Sequence, residues 1–186
     1  SGKELWRVGG LNPGGQKYFR SISSPVIAGD LLFAPYSRGN TLTAIRLGGN
    51  GNVTKSHVAW MNKGGAAADV PSPIVQGDRA FVCSDRGRLT CLDVKTGKAI
   101  WSGQAEKNRQ GFSSSPILAG GRIYITREDG KTFVVDSGDS FKVVAANELG
   151  EFTVATPIFS QGQILLRTTE HLYCIGKRAA AAAAGE

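Results

Sequence analysis

The chain has 186 residues, 41% of them hydrophobic, and a formal charge of +7 from 22 basic against 15 acidic side chains. That length suits one sizeable core or a few small repeated units, and no apolar run approaches the roughly 18 residues a membrane helix needs. The charge invites nucleic-acid binding. However, the basic residues stand singly, with Lys177-Arg178 the longest run, and the loops expected on one rim hold basic and acidic residues in nearly equal shares. Nucleic acid is therefore not an expected partner, and neither is membrane insertion.

Ser1-Gly2 reads as a cloning remnant, so the missing signal peptide says nothing about location. Lys3 to Val8 reads as a strand. Gly9-Gly10-Leu11-Asn12-Pro13-Gly14-Gly15 is a long connection; it has no Walker or dinucleotide spacing and no helix follows. From Ser23 onward one pattern recurs four times: two small residues, a proline, two apolar residues, a glycine turn, then an apolar strand. The copies are Ser23-Ser24-Pro25-Val26-Ile27, Pro71-Ser72-Pro73-Ile74-Val75, Ser114-Ser115-Pro116-Ile117-Leu118 and Ala155-Thr156-Pro157-Ile158-Phe159, with prolines 48, 43 and 41 residues apart.

Each copy continues in the same order. The second strands are Leu31-Leu32-Phe33, Arg79 to Val82, Arg122 to Ile125 and Ile164 to Leu166, rich in β-branched or aromatic residues. Polar turns follow at Ser37 to Asn40, Ser84 to Gly87, Arg127 to Gly130 and Thr168 to Glu170. Third strands pass through Ala44, Cys91, Val134 and Cys174. Fourth strands end at Trp60 and Trp101, with Ala146 expected in that place in the third copy. The fourth copy stops after Ile175-Gly176 without one. Lys177-Arg178 then leads into Ala179 to Ala184 and Gly185-Glu186, read as a tail or linker over 179–186.

Short strands in fours at a period of 40 to 48 residues are the signature of propeller blades. The expected fold is all-β: a β-propeller of four four-stranded antiparallel blades (about 23–60, 71–101, 114–147 and 155–177) within residues 1–178. The strand at 3–8 is expected to complete the last blade, in cis or from a second chain.

The stretch Cys91-Leu92-Asp93-Val94-Lys95-Thr96-Gly97-Lys98-Ala99-Ile100-Trp101 resembles the tryptophan-docking motif of pyrroloquinoline-quinone (PQQ) propellers, departing only at Cys91, where the motif has alanine. The other copies are degraded: a glycine-rich insertion, Gly48 to Gly51, precedes Trp60, and Val135-Asp136-Ser137-Gly138-Asp139 has no tryptophan after it. The chain resembles the C-terminal half of a bacterial PQQ-like repeat protein. The resemblance implies a periplasmic or extracellular setting, full-length rings of mostly eight blades, and a docking role for Trp101 between adjacent blades.

The resemblance also implies what an enzyme of this kind would need: PQQ held with calcium, an aspartate base and, in alcohol dehydrogenases, a disulfide between neighbouring cysteines. Cys83, Cys91 and Cys174 are not adjacent and read as small buried hydrophobes. Asp93 and Asp136 read as turn caps, and Glu128-Asp129 as solvated charge. His57 and His171 lie in different blades without ligand spacing, and Ser23-Ser24 and Ser113-Ser114-Ser115 read as turn residues. Gly64-Gly65-Ala66-Ala67-Ala68 reads as a loop between blades, where propellers make ligand contacts. No catalytic, cofactor-binding or metal residue is assigned, and neither PQQ nor calcium is expected to bind tightly.

The leading functional expectation is a non-catalytic module that binds a protein or small ligand at a loop rim, as an outer-membrane assembly lipoprotein of related repeats does. The alternative is a piece of a PQQ-dependent oxidoreductase whose catalytic residues lie outside this chain. Two closures are expected as alternatives: one chain closing on itself as a four-bladed ring, or a homodimer whose copies exchange the N-terminal strand to complete an eight-bladed ring.

Overall fold

The computed structural model describes residues 2–15, 17, 22–36 and 41–177; the turn expected at Ser37 to Asn40 and the tail from Arg178 lie outside the described residues. The chain opens with β1 (Trp6–Arg7). Blade one follows as β2 (Val26–Ala28), β3 (Leu31–Tyr36) and β4 (Thr41–Arg46), then an insertion with β5 (Gly51–Asn52) and one helical turn α1 (Thr54–His57), and finally β6 (Val58–Asn62). Blade two is β7 (Ile74–Gln76), β8 (Arg79–Cys83), β9 (Arg88–Asp93) and β10 (Ala99–Gln104). Blade three is β11 (Ile117–Ala119), β12 (Arg122–Thr126), β13 (Lys131–Asp136) and β14 (Val143–Glu148). Blade four has three strands, β15 (Ile158–Ser160), β16 (Gln163–Arg167) and β17 (Leu172–Gly176). Pairing within every blade is antiparallel and in chain order. Each blade's first strand starts directly after its proline, where the missing N–H costs no ladder bond.

A strand-only blade exposes two faces, so the core lies in the seams between blades. The first seam joins Phe33, Leu42 and Ala44 of blade one to Ala80, Val82 and Leu92 of blade two, sealed by Ala66 and Ala68 of the connecting loop. The second joins Phe81, Cys91 and Trp101 to Ile123, Ile125 and Phe133, sealed by Ala105 and Phe112.

Tryptophans close both seams. Trp60 Nε1 donates to the Val94 carbonyl at 3.0 Å, and its ring lies flat against Gly97, where an added Cβ would come within 2.5 Å of it. Because Gly97 also sits at φ +68°, glycine is required there twice over. Trp101, 8% exposed, donates to the Gly138 carbonyl at 2.8 Å and touches the rings of Phe81 and Phe141.

The register corrects two expectations. Ala44 faces Trp60, Cys91 faces Trp101 and Val134 faces Ala145, each just before a bulge, so Ala145 rather than Ala146 holds the tryptophan's place in blade three. The outer strands also run past their tryptophans, to Asn62 and Gln104.

The N-terminal strand does not complete blade four within this chain. It pairs in parallel with the insertion of blade one, Trp6 opposite Gly51 and Arg7 opposite Asn52, with Gly51 N–H bonded to Leu5 O at 2.9 Å and Val53 N–H to Arg7 O at 3.0 Å. β1 thus runs beside the insertion of blade one rather than on the edge of blade four. Among the described residues the outer edge of β17 has no partner strand. Cys174, unlike Cys83 and Cys91, is exposed rather than buried as expected, because among the described residues no further blade packs on its face of the sheet. Eight of the exposed large apolar residues belong to the two end segments: Leu5, Ile22 and Ile27 in the N-terminal stretch and blade one, and Phe152, Val154, Ile158, Leu172 and Ile175 in blade four and the loop before it.

Candidate functional site

The loops joining blades and the second hairpin turns lie side by side on one rim, fastened by side-chain acceptors. In blade two, Asp85 accepts the N–H groups of Asp69 at 3.0 Å and Val70 at 3.1 Å. In blade three, Glu128 accepts from Ser113 Oγ at 2.6 Å and from Gly111 N–H at 3.3 Å. In blade four the acid moves to the connecting loop. Glu151 accepts from the hydroxyls of Thr168 and Tyr173 and from His171 Nδ1, and these bonds pull its pKa down to about 2. A carboxylate with several donors is stabilised in its charged form.

Glu128 and Asp129 are therefore not the solvated charges expected of a hairpin turn. Asp129 is bound to Arg127, which is 3% exposed, reaches Glu106 as well and lies with Lys131 over the Phe133 ring. Lys131 pairs with Glu106 and Glu148 at 2.7 Å each. The basic groups at this point of the rim are thus neutralised by their own neighbours. Arg20 and Arg38, in the connection before blade one and in its second hairpin turn, lie outside the described residues.

Arg86 and Arg88 are different: both are exposed, and neither has an ion pair among the described residues. They line a cleft of about 560 Å³ walled on one side by Gly64, Gly65 and Ala67 and floored by Thr90 and Ser102, whose hydroxyls bond at 3.0 Å. The glycine-rich loop singled out in the sequence thus forms one wall of a polar cleft on blade two, while its alanines fill the first seam.

The remaining singled-out residues serve the scaffold. Asp93 accepts from Thr96 N–H at 2.8 Å and Thr96 Oγ1 at 2.7 Å, bonds that lower its pKa, and Asp136 accepts from Gly138 N–H at 2.8 Å and pairs with Arg122. His57 bonds its neighbour Ser56 at 2.8 Å, far in the chain from His171. Burial drives the thiols of Cys83 and Cys91 up to about 12 and about 11.

The serines before the prolines are more than turn residues. Ser24 N–H donates to Ser72 Oγ at 2.8 Å, Ser72 N–H to Ser115 Oγ at 3.0 Å, and Ser115 N–H to Thr156 Oγ1 at 3.0 Å. This hydroxyl belt stitches each blade to the next. Its signal was present in the sequence as a hydroxyl residue directly before every repeat proline.

A quinone cofactor held by calcium does not fit these residues. The three cysteines are free and lie on separate strands, and among the described residues no group of three or more His, Cys, Asp or Glu side chains could hold a metal.

Blades stitched by hydroxyls, docked by tryptophans and bearing an open polar cleft on a loop rim define a propeller of the PQQ-like repeat class. A family model described as outer membrane protein assembly factor BamB matches residues 1–140, and the chain belongs to that family. The BamB of Moranella endobia (strain PCIT) is 30% identical over 124 residues, which cover 61% of this chain and 31% of that protein. The crystal structure of BamB from Moraxella catarrhalis superposes with a TM-score of 0.63 at 14% identity, covering 84% of this chain and 48% of that one. A europium-containing methanol dehydrogenase shares the fold, with a TM-score of 0.53 at 16% identity over 66% of this chain and 23% of its own. The chain thus spans under a third of that curated relative and about half of the BamB structure.

Proposed function

We propose that the chain is a non-catalytic binding module that holds a protein partner at its loop rim, with the Arg86–Arg88 cleft receiving the partner's acidic groups. The observation that carries this is the pair of exposed arginines lining a 560 Å³ cleft, whose one carboxylate, Asp85, accepts the N–H groups of Asp69 and Val70, whereas Arg127 and Lys131 of the next blade are paired with acids. Family membership supports it, since the sequence matches fall on assembly factors while the dehydrogenase likeness is one of fold alone. On this reading the setting is periplasmic, as the family name implies. The test is selection of a displayed peptide library on the immobilised chain. Enriched acidic peptides that lose at least tenfold in affinity on the Arg86→Glu/Arg88→Glu double variant support the reading. Enriched peptides that bind the variant equally well overturn it.

The assembly we propose is an eight-bladed ring in which β1 of one copy completes blade four of another. The exposed apolar residues of the two end segments and the polarity of the hydroxyl belt support it: Thr156 N–H has no acceptor at one end among the described residues, and Ser24 Oγ offers one at the other. A closed two-copy ring leaves neither sheet edge bare. Sedimentation at micromolar concentration should show a species of twice the chain mass, lost when residues 2–8 are deleted; a persistent monomer refutes it.

A further inference from the structure

The seam between blades three and four is built on the same plan as the seam between blades two and three, but with its large groups removed. Strand register gives the equivalences: Tyr124 stands for Phe81, Thr126 for Cys83, Thr132 for Leu89 and Ala145 for Trp101. In the connecting loops, Thr153 N–H bonds Glu128 O as Phe112 N–H bonds Asp85 O, so Thr153 stands for Phe112. An indole and a phenyl ring are thus replaced by a methyl and a hydroxyl-bearing side chain.

Of these positions Tyr124 and Thr132 line the space that is left; Ala145 and Thr153 do not themselves line it. A cavity of about 200 Å³ remains between the two blades, walled by Tyr124 of blade three and by Phe159, Ile164, Leu166 and Ile175 of blade four. Their counterparts in the second seam, among them Phe81, Ile123, Ile125 and Val135, pack with Trp101 in one buried cluster. Tyr124 and Phe159 hold ring centroids 4.6 Å apart at one side of the cavity. Asn147, two residues beyond Ala145 on the same face of β14, and Thr132 supply polar groups to its lining. All of β14 is exposed, so the cavity opens to solvent where Trp101 shuts the seam before it.

We propose that this cavity is a binding site for a small planar aromatic molecule of about indole size, next to the place that a docking tryptophan holds in the other seams. Apolar cavities of about 150 Å³ lined by Leu, Ile and Phe take up benzene, so a mainly apolar space of about 200 Å³ walled by two aromatic residues, four aliphatic residues and Pro157 has room for a fused ring. The ring faces of Tyr124 and Phe159 give it stacking partners, and Asn147 or Thr132 can accept a ring N–H as the Gly138 carbonyl accepts that of Trp101.

The test is calorimetric titration of indole into the full chain, with amide shifts followed by NMR. Saturable one-to-one binding with shifts centred on Thr132, Asn147 and Ile164 is expected, along with at least a tenfold loss of affinity and a raised Tm in Ala145→Trp, whose own ring reaches into the space from beside it. Should that variant not fold, Thr132→Leu, which restores the counterpart of Leu89, is expected to show the same loss. No saturation up to the solubility of indole, shifts centred elsewhere, or unchanged affinity in a folded variant overturns the proposal.

Discussion

Replacing Trp101 by alanine tests whether the seams carry the stability of this chain. The indole is 92% removed from solvent at the residue level, being 8% exposed. Burying an aromatic side chain removes about 150–250 Å² from water, worth about 4–6 kcal/mol at ~25 cal/mol/Å², of which the alanine methyl keeps a part. Large-to-small series place such a change at about 3–5 kcal/mol. The lost hydrogen bond adds little, because Arg79 Nη1 also donates to the Gly138 carbonyl, at 2.7 Å, and remains to satisfy it. With a urea m-value of ~2 kcal/mol/M, the unfolding midpoint should fall by about 1.5–2.5 M, read by circular dichroism. Ala145→Gly, at the equivalent register position but exposed, should cost under ~1 kcal/mol. A Trp101→Ala midpoint within ~0.5 M of the parent would mean that the ring is not a structural wedge, and the seam account would fall with it.

Acid should weaken the fourth blade. The folded-state pKa of Glu151 is depressed to about 2 from an ordinary 4.5, so its contribution is fully present above about 4.5 and is lost as pH falls towards 2; Glu151→Gln should flatten the fall in urea midpoint across that window, and parallel profiles for parent and variant would refute the assignment. A disulfide reagent at mildly alkaline pH should modify the exposed Cys174 quickly and Cys83 and Cys91 only after denaturation, since burial holds both buried thiols protonated. Protection of Cys174 on concentrating the chain would mark ring completion. Ser115→Ala removes the acceptor of Ser72 N–H and should cost about 1–3 kcal/mol with faster exchange of that amide, while Ser115→Thr should retain both; an unchanged exchange rate would show that the belt is not formed in solution.

The repeat alone determined the blades. A proline before each inner strand, a glycine turn after it and apolar residues of strand type leave the backbone no helical option, because these are local constraints on φ and on hydrogen-bond donors. The docking of Trp101 was legible for the same reason: its motif is contiguous. The seams were not. Whether a tryptophan's counterpart is Ala145 or Ala146 depends on a bulge that appears only when β13 and β14 pair. The roles of Glu128, Glu151 and the serines before the prolines rest on partners 15 to 48 residues away in a neighbouring turn or blade. The cleft at Arg86 and Arg88 could not be read from charge counts, since what distinguishes those arginines is that Arg127 and Lys131 find acids and they do not. Strand propensity and turn chemistry act within a few residues and are written in the sequence; burial, pairing of charge and the empty seam between blades three and four arise between blades, and only the tertiary structure decides them.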